Sequence, residues 1–257
     1  MDELRKRAAA LRKETLRASL GPGHHLGGAL SCIEVLTALY FSVLVGNIAP
    51  HFVMSKGHAL VPLLLAIESS GTVASPIRNV RRPDLIGHPN HVQMPGVEVS
   101  TGSLGQGLSI GVGIAFGEHL AASGRGCIVL VGDGEMQEGQ SWEAIAFAGV
   151  HCLKNLCVIV DANGAQADGN VPALLQQALP KQLEALGFEV IDCDGHDFSH
   201  LIPAITTLGL SRPRAIIANT LKGKGVSFME QAPEWFTGTL DAISLERALS
   251  ELEGVEA

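Results

Sequence analysis

Aromatic and charged residues are scarce in this sequence of 257 residues. Aromatic side chains make up 4% of the chain and charged ones 17%, against 46% apolar residues. So high an apolar fraction excludes a disordered chain, and so low a charge content excludes a long solvated coiled coil. Eighteen lysines and arginines face 26 aspartates and glutamates, giving a net charge of −8. The sequence therefore predicts a globular protein with no nucleic-acid partner.

A long uninterrupted apolar run is also missing. The most apolar stretch, residues 33–49, contains Glu34 and Asn47, whereas a membrane span needs about 20 consecutive apolar residues. The basic, amphipathic N-terminus carries Asp2 and Glu3, which favours a surface helix over a targeting segment. We expect no membrane contact.

Cysteine is present only as five residues, an odd number, and no C-x-x-C motif occurs. This pattern favours neither a disulfide framework nor a zinc site. The five are Cys32, Cys127, Cys152, Cys157 and Cys193. We expect buried thiols in a reducing compartment, with the cytoplasm as the location.

Glycine, in contrast, is abundant, with 30 residues. Together with few aromatics and many small or branched aliphatic residues, it predicts an α/β sheet protein with tight turns near a ligand. No repeat or Pro/Ser-rich linker divides the chain. We therefore expect residues 1–257 to form one domain.

The clearest α/β signal lies in the middle of the chain. Residues 127–131 and 156–160 are β-branched runs, and residues 142–150 between them have helical character. Strand, helix, strand at this spacing predicts a right-handed βαβ unit. Further helices are predicted at 3–19, 29–45, 59–69, 102–117, 174–186 and 198–208, and strands at 189–192 and 214–219. The predicted architecture is a mostly parallel, doubly wound sheet with helices on both faces.

Oxygen side chains follow both strands of that unit. Asp133 stands within Gly132-Asp133-Gly134, and Asn163 follows the second strand 30 residues later. Ligands of such sheets bind beyond the carboxyl ends of the strands. A hard cation such as Mg²⁺ prefers oxygen ligands, and the flanking glycines let a diphosphate approach the backbone. Gly-Asp-Gly alone is also typical of a plain turn, but its pairing with Asn163 favours a ligand site.

Several longer motifs point to a family. GDGEMQEG at 132–139 with VDANG at 160–164 resembles the thiamine diphosphate fingerprint of the transketolase family. The likeness continues, in the order of the family, through HLGGALS (25–31), SKGHA (55–59), PGVEVSTGSLGQGLS (95–109), DGHD (194–197) and KGKGVSFME (222–230). The chain resembles the N-terminal, diphosphate-binding half of a transketolase. It is thus similar to the first subunit of a split, two-component enzyme with the thiamine-diphosphate-binding fold.

The resemblance implies a set of metal and cofactor ligands. Asp133, Asn163 and the main-chain carbonyl of Ala165 would hold Mg²⁺ together with diphosphate oxygens. Gly134 would donate its N–H to the diphosphate, which the flanking Gly132 also lets approach the backbone.

Other motif residues would surround the cofactor. The resemblance implies that His58 contacts the diphosphate and that Gly102 and Leu104 line the cofactor near its aminopyrimidine ring. Glu138 matches a glutamate at the subunit contact that couples paired active sites.

Two histidines match catalytic positions. His25 and His88 correspond to histidines that reach the thiazolium carbon and the hydroxyls of the substrate. Imidazole suits this work because it can donate or accept a proton near neutral pH. The family pattern has glycine where this chain has His24, a departure that changes the freedom of the loop. His196, within DGHD, is expected to hold a strand–helix connection.

Two lysines remain open at this stage. Lys222 and Lys224 lie in a glycine-spaced basic turn. They fit an approach to the cofactor or a substrate phosphate as well as they fit a solvated turn.

The resemblance also implies a partner. The glutamate that activates thiamine belongs to the half of a transketolase that this chain does not match. We expect a C-terminal transketolase-like subunit that carries the pyrimidine-binding domain and that glutamate, in an α2β2 assembly. The expected reaction is transfer of a two-carbon ketol unit from a ketose to an aldehyde. The alternatives are the α subunit of a 2-oxoacid dehydrogenase-like or acyl-transferring enzyme, and a non-catalytic paralogue that binds thiamine diphosphate.

One departure concerns the substrate. Split transketolases usually carry Trp-His-Gly after the K-G-K-G-V-S turn, whereas this chain has Trp235-Phe236-Thr237-Gly238 and no histidine after His200. Because an apolar ring cannot hydrogen-bond a sugar hydroxyl, we expect a specialised substrate rather than the common sugar phosphates.

Overall fold

Secondary structure is defined in a computed structural model that describes residues 1–45, 49–73, 87–166, 169–206, 211–235 and 237–254. The helices are α1 (Asp2–Ala18), α2 (Leu26–Ser31), α3 (Ile33–Ala38), α4 (Leu60–Ser69), α5 (Gln106–Leu120), α6 (Gly139–Val150), α7 (Ala173–Ala185), α8 (Phe198–Thr206) and α9 (Ala242–Gly254). The strands are β1 (Gly21–His24), β2 (His51–Met54), β3 (Cys127–Gly132), β4 (Leu156–Ala162), β5 (Ala165–Gln166), β6 (Gly169–Asn170), β7 (Glu189–Asp194), β8 (Arg214–Asn219) and β9 (Gly238–Leu240).

Five parallel strands form the central sheet, in the order β2-β3-β4-β8-β7. The apolar runs of β3 and β4 lie side by side, with Val129 opposite Val158, and β4 pairs in turn with β8. All six residues of β3 are buried, as expected for a parallel strand covered on both faces. The predicted fold class is confirmed.

Alternation along each strand directs side chains into two cores. Ile128 and Leu130 of β3 pack on one face with α1, α2, α3, α4, α8 and α9. Val129 and Val131 pack on the other face with α5, α6 and α7. Helices thus cover both faces of the sheet, and its carboxyl edge remains the place for a ligand.

Two helix predictions need correction. The helix predicted at 29–45 begins at Leu26 and is interrupted at Cys32, where the backbone leaves helical angles (φ −103°, ψ 15°). It ends in a π-helical turn over Leu39–Val43. The helix predicted from residue 102 begins only at Gln106. The reason is that Gly102 and Gly105 have positive φ values of 143° and 80°, which bend the preceding loop instead of extending the helix.

Two antiparallel ribbons, which the sequence did not predict, complete the architecture. Strand β1 pairs with β9, placing His24 opposite Gly238. The short strands β5 and β6 pair just after β4. Strand β2 at the sheet edge and helix α9 were also missed.

Two expectations remain, that the cysteines are buried thiols and that the chain makes no membrane contact. All five cysteines are free thiols, and Cys32, Cys127 and Cys157 are buried as expected, whereas Cys152 is exposed. Across the described ranges of the chain, no helix combines the length and the apolar character that crossing a membrane would require.

Candidate cofactor and metal site

Two neighbouring strands deliver the predicted oxygen ligands to one edge of the sheet. Gly132, the last residue of β3, lies opposite Asp161 near the end of β4. Asp133 and Asn163 follow these strand ends directly. Parallel pairing therefore brings together two residues that lie 30 positions apart in the sequence.

Asp133 is a buried carboxylate, with 5% of the residue exposed. Its Oδ1 accepts the Gly134 N–H at 2.8 Å and its Oδ2 accepts the Gly164 N–H at 2.7 Å. Burial, followed by the nearby Asp161 charge, raises the pKa of Asp133 to about 7. A bound cation would favour the ionised form of this carboxylate.

The amide of Asn163 has a fixed orientation. Its Nδ2 donates to Asp161 Oδ2 at 2.7 Å, and its Oδ1 accepts the Ala165 N–H at 3.1 Å. Gly164 between them has φ +76°, a left-handed conformation that glycine adopts without strain. The turn therefore keeps the Asn163 and Ala165 oxygens close to Asp133.

A buried ion pair that the sequence analysis missed lies beneath these residues. The side chains of Lys56 and Asp161 are fully buried and pair with each other. The Ser31 hydroxyl donates to Asp161 Oδ2 at 2.6 Å, and the Thr220 hydroxyl donates to Oδ1. Lys56 also donates to the Gly28 carbonyl at 2.9 Å.

The pKa values of that pair follow from its geometry. Burial alone would raise the pKa of Asp161, but the Lys56 ammonium outweighs it and lowers the value. Burial would lower the pKa of Lys56, but Asp161 outweighs it and raises the value. Both groups are therefore charged at neutral pH. A charge that is buried beside apolar strands must be paired, so each of these two residues depends on the other.

Glu135 is a second buried carboxylate that the motif analysis left without a role. It accepts the Gly105 N–H at 2.9 Å and the Gly132 N–H at 3.2 Å, and the Ser55 hydroxyl also donates to it. These bonds tie the loop before α5 to the end of β3. Burial raises the pKa of Glu135.

Lys56, Asp161 and Glu135, with the groups that bond them, form the floor of the site. A cavity of about 270 Å³ opens above this floor. It is lined by Gly28, His58, Leu104, Gly132, Asp133, Gly134, Glu135, Gln137, Glu138, Asn163, Ala165, Gln166 and Lys222. Eight predicted site residues are thereby brought together. A Cβ on Gly28 would lie 2.6 Å from His58 Nε2, so this wall requires glycine.

The remaining predicted residues lie beside the cavity. The His25 ring centroid is 5.8 Å from that of His58 and 6.3 Å from that of His88. Gly102 packs on His88, because a Cβ there would lie 2.8 Å from the ring. Burial lowers the pKa of His88, and burial followed by the Lys56 charge lowers the pKa of His58 well below its usual value. His58 and His88 are therefore neutral near pH 7.

The two lysines of the basic turn differ in position. Lys222 is buried, with 3% of the residue exposed, and lines the cavity. Burial lowers its pKa, an effect that Asp133 opposes. The main-chain carbonyl of Lys224 instead accepts a hydrogen bond from Arg12. His196, in the connection between β7 and α8, accepts the Leu221 N–H at 2.9 Å and so ties that connection to the turn after β8.

The site is open at its rim. Leu104 is 45% exposed, and Glu138 and His88 are exposed as well. Phe236, on which the substrate expectation rests, lies outside the described residues. In the part of the chain that the structure describes, no group of three or more His, Cys, Asp or Glu could hold a metal. A metal here would be bound by one carboxylate together with amide and carbonyl oxygens.

Comparison with known proteins decides the family. Residues 19–246 match the model of the family described as "Transketolase, thiamine diphosphate binding domain". The chain belongs to the transketolase family. The resemblance drawn from the motifs is confirmed, and the thiamine diphosphate expected from it agrees with the domain that matches.

Transketolase relatives of two lengths are similar to the chain. It is 37% identical to an apulose-4-phosphate transketolase subunit of Actinobacillus succinogenes, over 98% of this chain and 96% of that protein. It is 35% identical to the 6-deoxy-6-sulfo-D-fructose transketolase subunit SqwG of a Clostridium species, with the same coverage. The solved transketolase of Campylobacter jejuni superposes with a TM-score of 0.86 at 28% identity, over 98% of this chain. The match spans only 43% of that transketolase chain.

Proposed function

We propose that this chain is the thiamine diphosphate- and Mg²⁺-binding subunit of a two-component transketolase. The assembled enzyme would transfer a two-carbon ketol unit from a ketose donor to an aldehyde acceptor. The observation that carries the proposal is the cavity at the ends of β3 and β4. It gathers Asp133, Asn163, the Ala165 carbonyl and His58 within a domain of the thiamine diphosphate-binding type.

The residues present fit a divalent cation. One buried carboxylate, one amide and one main-chain carbonyl make an oxygen-only donor set, and diphosphate oxygens would fill further positions. At Gly132 a Cβ would meet nothing within 4 Å, so the backbone there is open to a diphosphate, whereas Gly134 packs closely on Gln166, whose Cβ would lie 3.0 Å from a Cβ at Gly134. Lys222, at the same cavity, would bind a phosphate oxygen. Asp133, Asn163 and Ala165 are accordingly proposed as the Mg²⁺ ligands.

When bound, thiamine diphosphate supplies the electron sink that cleavage of a carbon–carbon bond beside a carbonyl requires. The side chains of this chain would orient the reactants and move protons. His25 and His88 would exchange protons with substrate hydroxyls, and the lowered pKa of His88 keeps it available as a base. Gly102 and Leu104 would line the cofactor, and Glu138 would lie at the subunit contact.

The lengths of the relatives support a second polypeptide. The chain covers 96% of two relatives named as transketolase subunits but 43% of a solved transketolase chain. We propose that residues 1–257 act as one domain, together with a C-terminal transketolase-like subunit that supplies the pyrimidine-binding domain and the activating glutamate in an α2β2 assembly. The free thiols support a cytoplasmic location.

The names of the relatives also favour one reading of the chemistry. The two relatives that match this chain along 96% of their own length are named as transketolase subunits, rather than as 2-oxoacid dehydrogenase subunits. Their printed substrates, apulose-4-phosphate and 6-deoxy-6-sulfo-D-fructose, differ from the common sugar phosphates. We propose a specialised donor or acceptor for this chain as well.

The test is reconstitution. The chain is purified alone and with a co-expressed C-terminal transketolase-like subunit, and ketol transfer is assayed with thiamine diphosphate and Mg²⁺. We expect activity only from the pair. Transfer by the isolated chain would refute the two-component proposal, and a pair that binds the cofactor but turns over no ketose–aldose combination would indicate the non-catalytic paralogue.

The substrate proposal has its own assay. The assembled enzyme and its Phe236→His variant are compared on xylulose 5-phosphate with ribose 5-phosphate. We expect poor turnover by the unmodified enzyme and improvement in the variant. Turnover of these sugars by the unmodified enzyme at ordinary transketolase efficiency would contradict the idea of a specialised substrate.

A further inference from the structure

Hydrogen bonds from two distant elements hold the turn at residues 221–224. At one end, the Leu221 N–H donates to His196 Nε2 at 2.9 Å. At the other end, Arg12 Nε, from helix α1, donates to the Lys224 carbonyl at 2.9 Å. Lys222, which lines the cavity, lies between these two attachments. The turn is therefore fixed on both sides of the residue that reaches the site.

Glu34 of helix α3 joins the two attachments into one network. Its Oε1 accepts from Arg12 Nη2 at 2.6 Å, and its Oε2 accepts from His196 Nδ1 at 2.9 Å. The side chains of Arg12, Glu34 and His196 are 8%, 9% and 16% exposed. Burial would raise the pKa of Glu34, but Arg12 and His196 outweigh it and lower the value. An ionised carboxylate at the centre makes both bonds charge-assisted.

The network also fixes the tautomer of His196. Because Nε2 accepts a main-chain N–H, the proton of the neutral ring is on Nδ1, where Glu34 accepts it. Neither nitrogen of His196 is then available to a substrate. The histidine acts on the turn rather than on the reacting atoms.

Close packing around the turn at residues 221–224 restricts the positions that its backbone and the Lys222 side chain can adopt. The Gly223 N–H donates to the Gly27 carbonyl at 2.9 Å, and a Cβ on Gly27 would lie 2.9 Å from Lys222 Cε. Gly225 has φ +93°, and a Cβ there would lie 2.8 Å from Arg12 Cδ. The stem of Lys222 is thus seated between the turn and helix α2.

From this geometry we infer that Arg12, Glu34 and His196 form a positioning relay that holds the 221–224 turn and sets the place of the Lys222 ammonium. The relay fixes that cation beside Asp133 and Gly134, where a diphosphate would bind. It links helix α1, helix α3 and the loop after β7 to cofactor affinity, although none of the three relay residues lines the cavity. The inference rests on the proposed binding of thiamine diphosphate.

Two substitutions at one position separate the halves of the relay. In His196→Asn the shorter amide can still donate to Glu34 but cannot reach Leu221. In His196→Gln the longer amide can place an oxygen where Nε2 stood and accept the Leu221 N–H. Each is made in the unmodified chain and in the Lys222→Met background. Each chain is assembled with its C-terminal partner, and thiamine diphosphate with Mg²⁺ is titrated by tryptophan fluorescence. The thermal unfolding midpoint checks the fold of each variant.

We expect His196→Asn to weaken cofactor binding about tenfold and His196→Gln to weaken it less than about threefold. In the Lys222→Met background the effect of His196→Asn should fall below about twofold, because residues that act through one another are not additive. An equal loss in both backgrounds, or no loss from His196→Asn, would overturn the relay.

A second readout does not depend on the cofactor. Amide hydrogen exchange of Leu221, followed by NMR in the cofactor-free chain, should be at least about tenfold faster in His196→Asn than in the unmodified chain or in His196→Gln. Unchanged exchange would overturn the relay. If the chain assembled with its C-terminal partner shows no cofactor binding, the proposed function fails, and the exchange measurement alone decides whether the relay exists.

Discussion

Below the cavity, the fully buried side chains of Lys56 and Asp161 pair with each other and make further hydrogen bonds with Ser31 and Gly28. Around the opening, His88, Leu104 and Glu138 are exposed. The floor is therefore a finished polar network, in which removal of one member leaves a buried charge behind. The rim side chains would bury their surfaces only against another molecule. The difference agrees with the proposal that this chain holds the diphosphate end of the cofactor and that a partner would cover the rim.

The largest effect is expected at the floor. Lys56→Met would leave the Asp161 carboxylate buried without its cation, and the free energy of unfolding should fall by about 3–5 kcal/mol. Urea unfolding followed by circular dichroism measures this change.

Two further variants sharpen that result. The double variant Lys56→Met with Asp161→Asn should recover part of the loss, because it removes both charges. Lys181→Met, at an exposed lysine of helix α7, should change the free energy of unfolding by no more than about 0.5 kcal/mol. A Lys56→Met chain as stable as the Lys181→Met chain would show that the floor does not depend on the pair.

The next effect concerns the metal. Asp133→Ala removes the one carboxylate of the proposed Mg²⁺ site, and Mg²⁺-dependent binding of thiamine diphosphate should weaken more than about a hundredfold. The fold should persist. Calorimetric titration in the presence and absence of Mg²⁺ gives the comparison.

Asp192, an exposed carboxylate of strand β7, supplies the control. Asp192→Ala should leave the Mg²⁺-dependent affinity close to that of the unmodified chain. Equal affinities in the unmodified chain and in Asp133→Ala would reduce Asp133 to a turn residue.

The free energy of unfolding is expected to depend on pH through His58, which lies close to Lys56. Burial, followed by Lys56, keeps the pKa of His58 in the folded chain well below its usual value, whereas the unfolded chain titrates near about 6.5. Between these two pH values the unfolded state binds a proton that the folded state does not. The free energy of unfolding should therefore fall as pH decreases below about 6.5, by at most about 1.4 kcal/mol per pH unit from this group.

Removal of the ring tests the assignment. Urea unfolding between about pH 7.5 and 5.5 should show a shallower loss in His58→Gln than in the unmodified chain. The exposed His200 provides the control, since His200→Gln should keep the original slope. If the free energy of unfolding depends on pH equally in all three chains, a group other than His58 causes the loss of stability in acid.

The smallest effect on the chain itself is expected at the rim. Glu138→Gln should change the free energy of unfolding by no more than about 0.5 kcal/mol. The same substitution should lower the activity of the assembled enzyme, where this side chain would lie at the subunit contact. Stability is measured on the isolated chain and turnover on the pair; an unaffected turnover would remove Glu138 from the contact.

The sequence predicted the parts of the site that depend on local pattern. The β-branched runs before Asp133 and Asn163 are long enough to identify β3 and β4, and parallel pairing then brings the two proposed ligands together. Strand β2 was missed because His51–Met54 gives only four residues of signal. Helix α5 begins late because two glycines before it adopt positive φ.

The floor could not be predicted from local pattern, because its members lie far apart in the chain. Lys56 and Asp161 are separated by 105 positions, and each occurs inside a motif whose other residues have clearer roles. The His196 relay has the same origin, since Arg12 and Lys224 are 212 positions apart. Only the packing of α1 and α3 against the loop after β7 reveals it.

The most direct test of the central claim is the affinity for thiamine diphosphate with Mg²⁺, measured by calorimetry for the isolated chain and for the chain with its C-terminal partner. If the rim is completed by the partner, cofactor and partner should strengthen each other's binding by at least about fivefold, and only the pair should transfer ketol units. The same affinity in both samples, with ketol transfer by the isolated chain, would contradict the account.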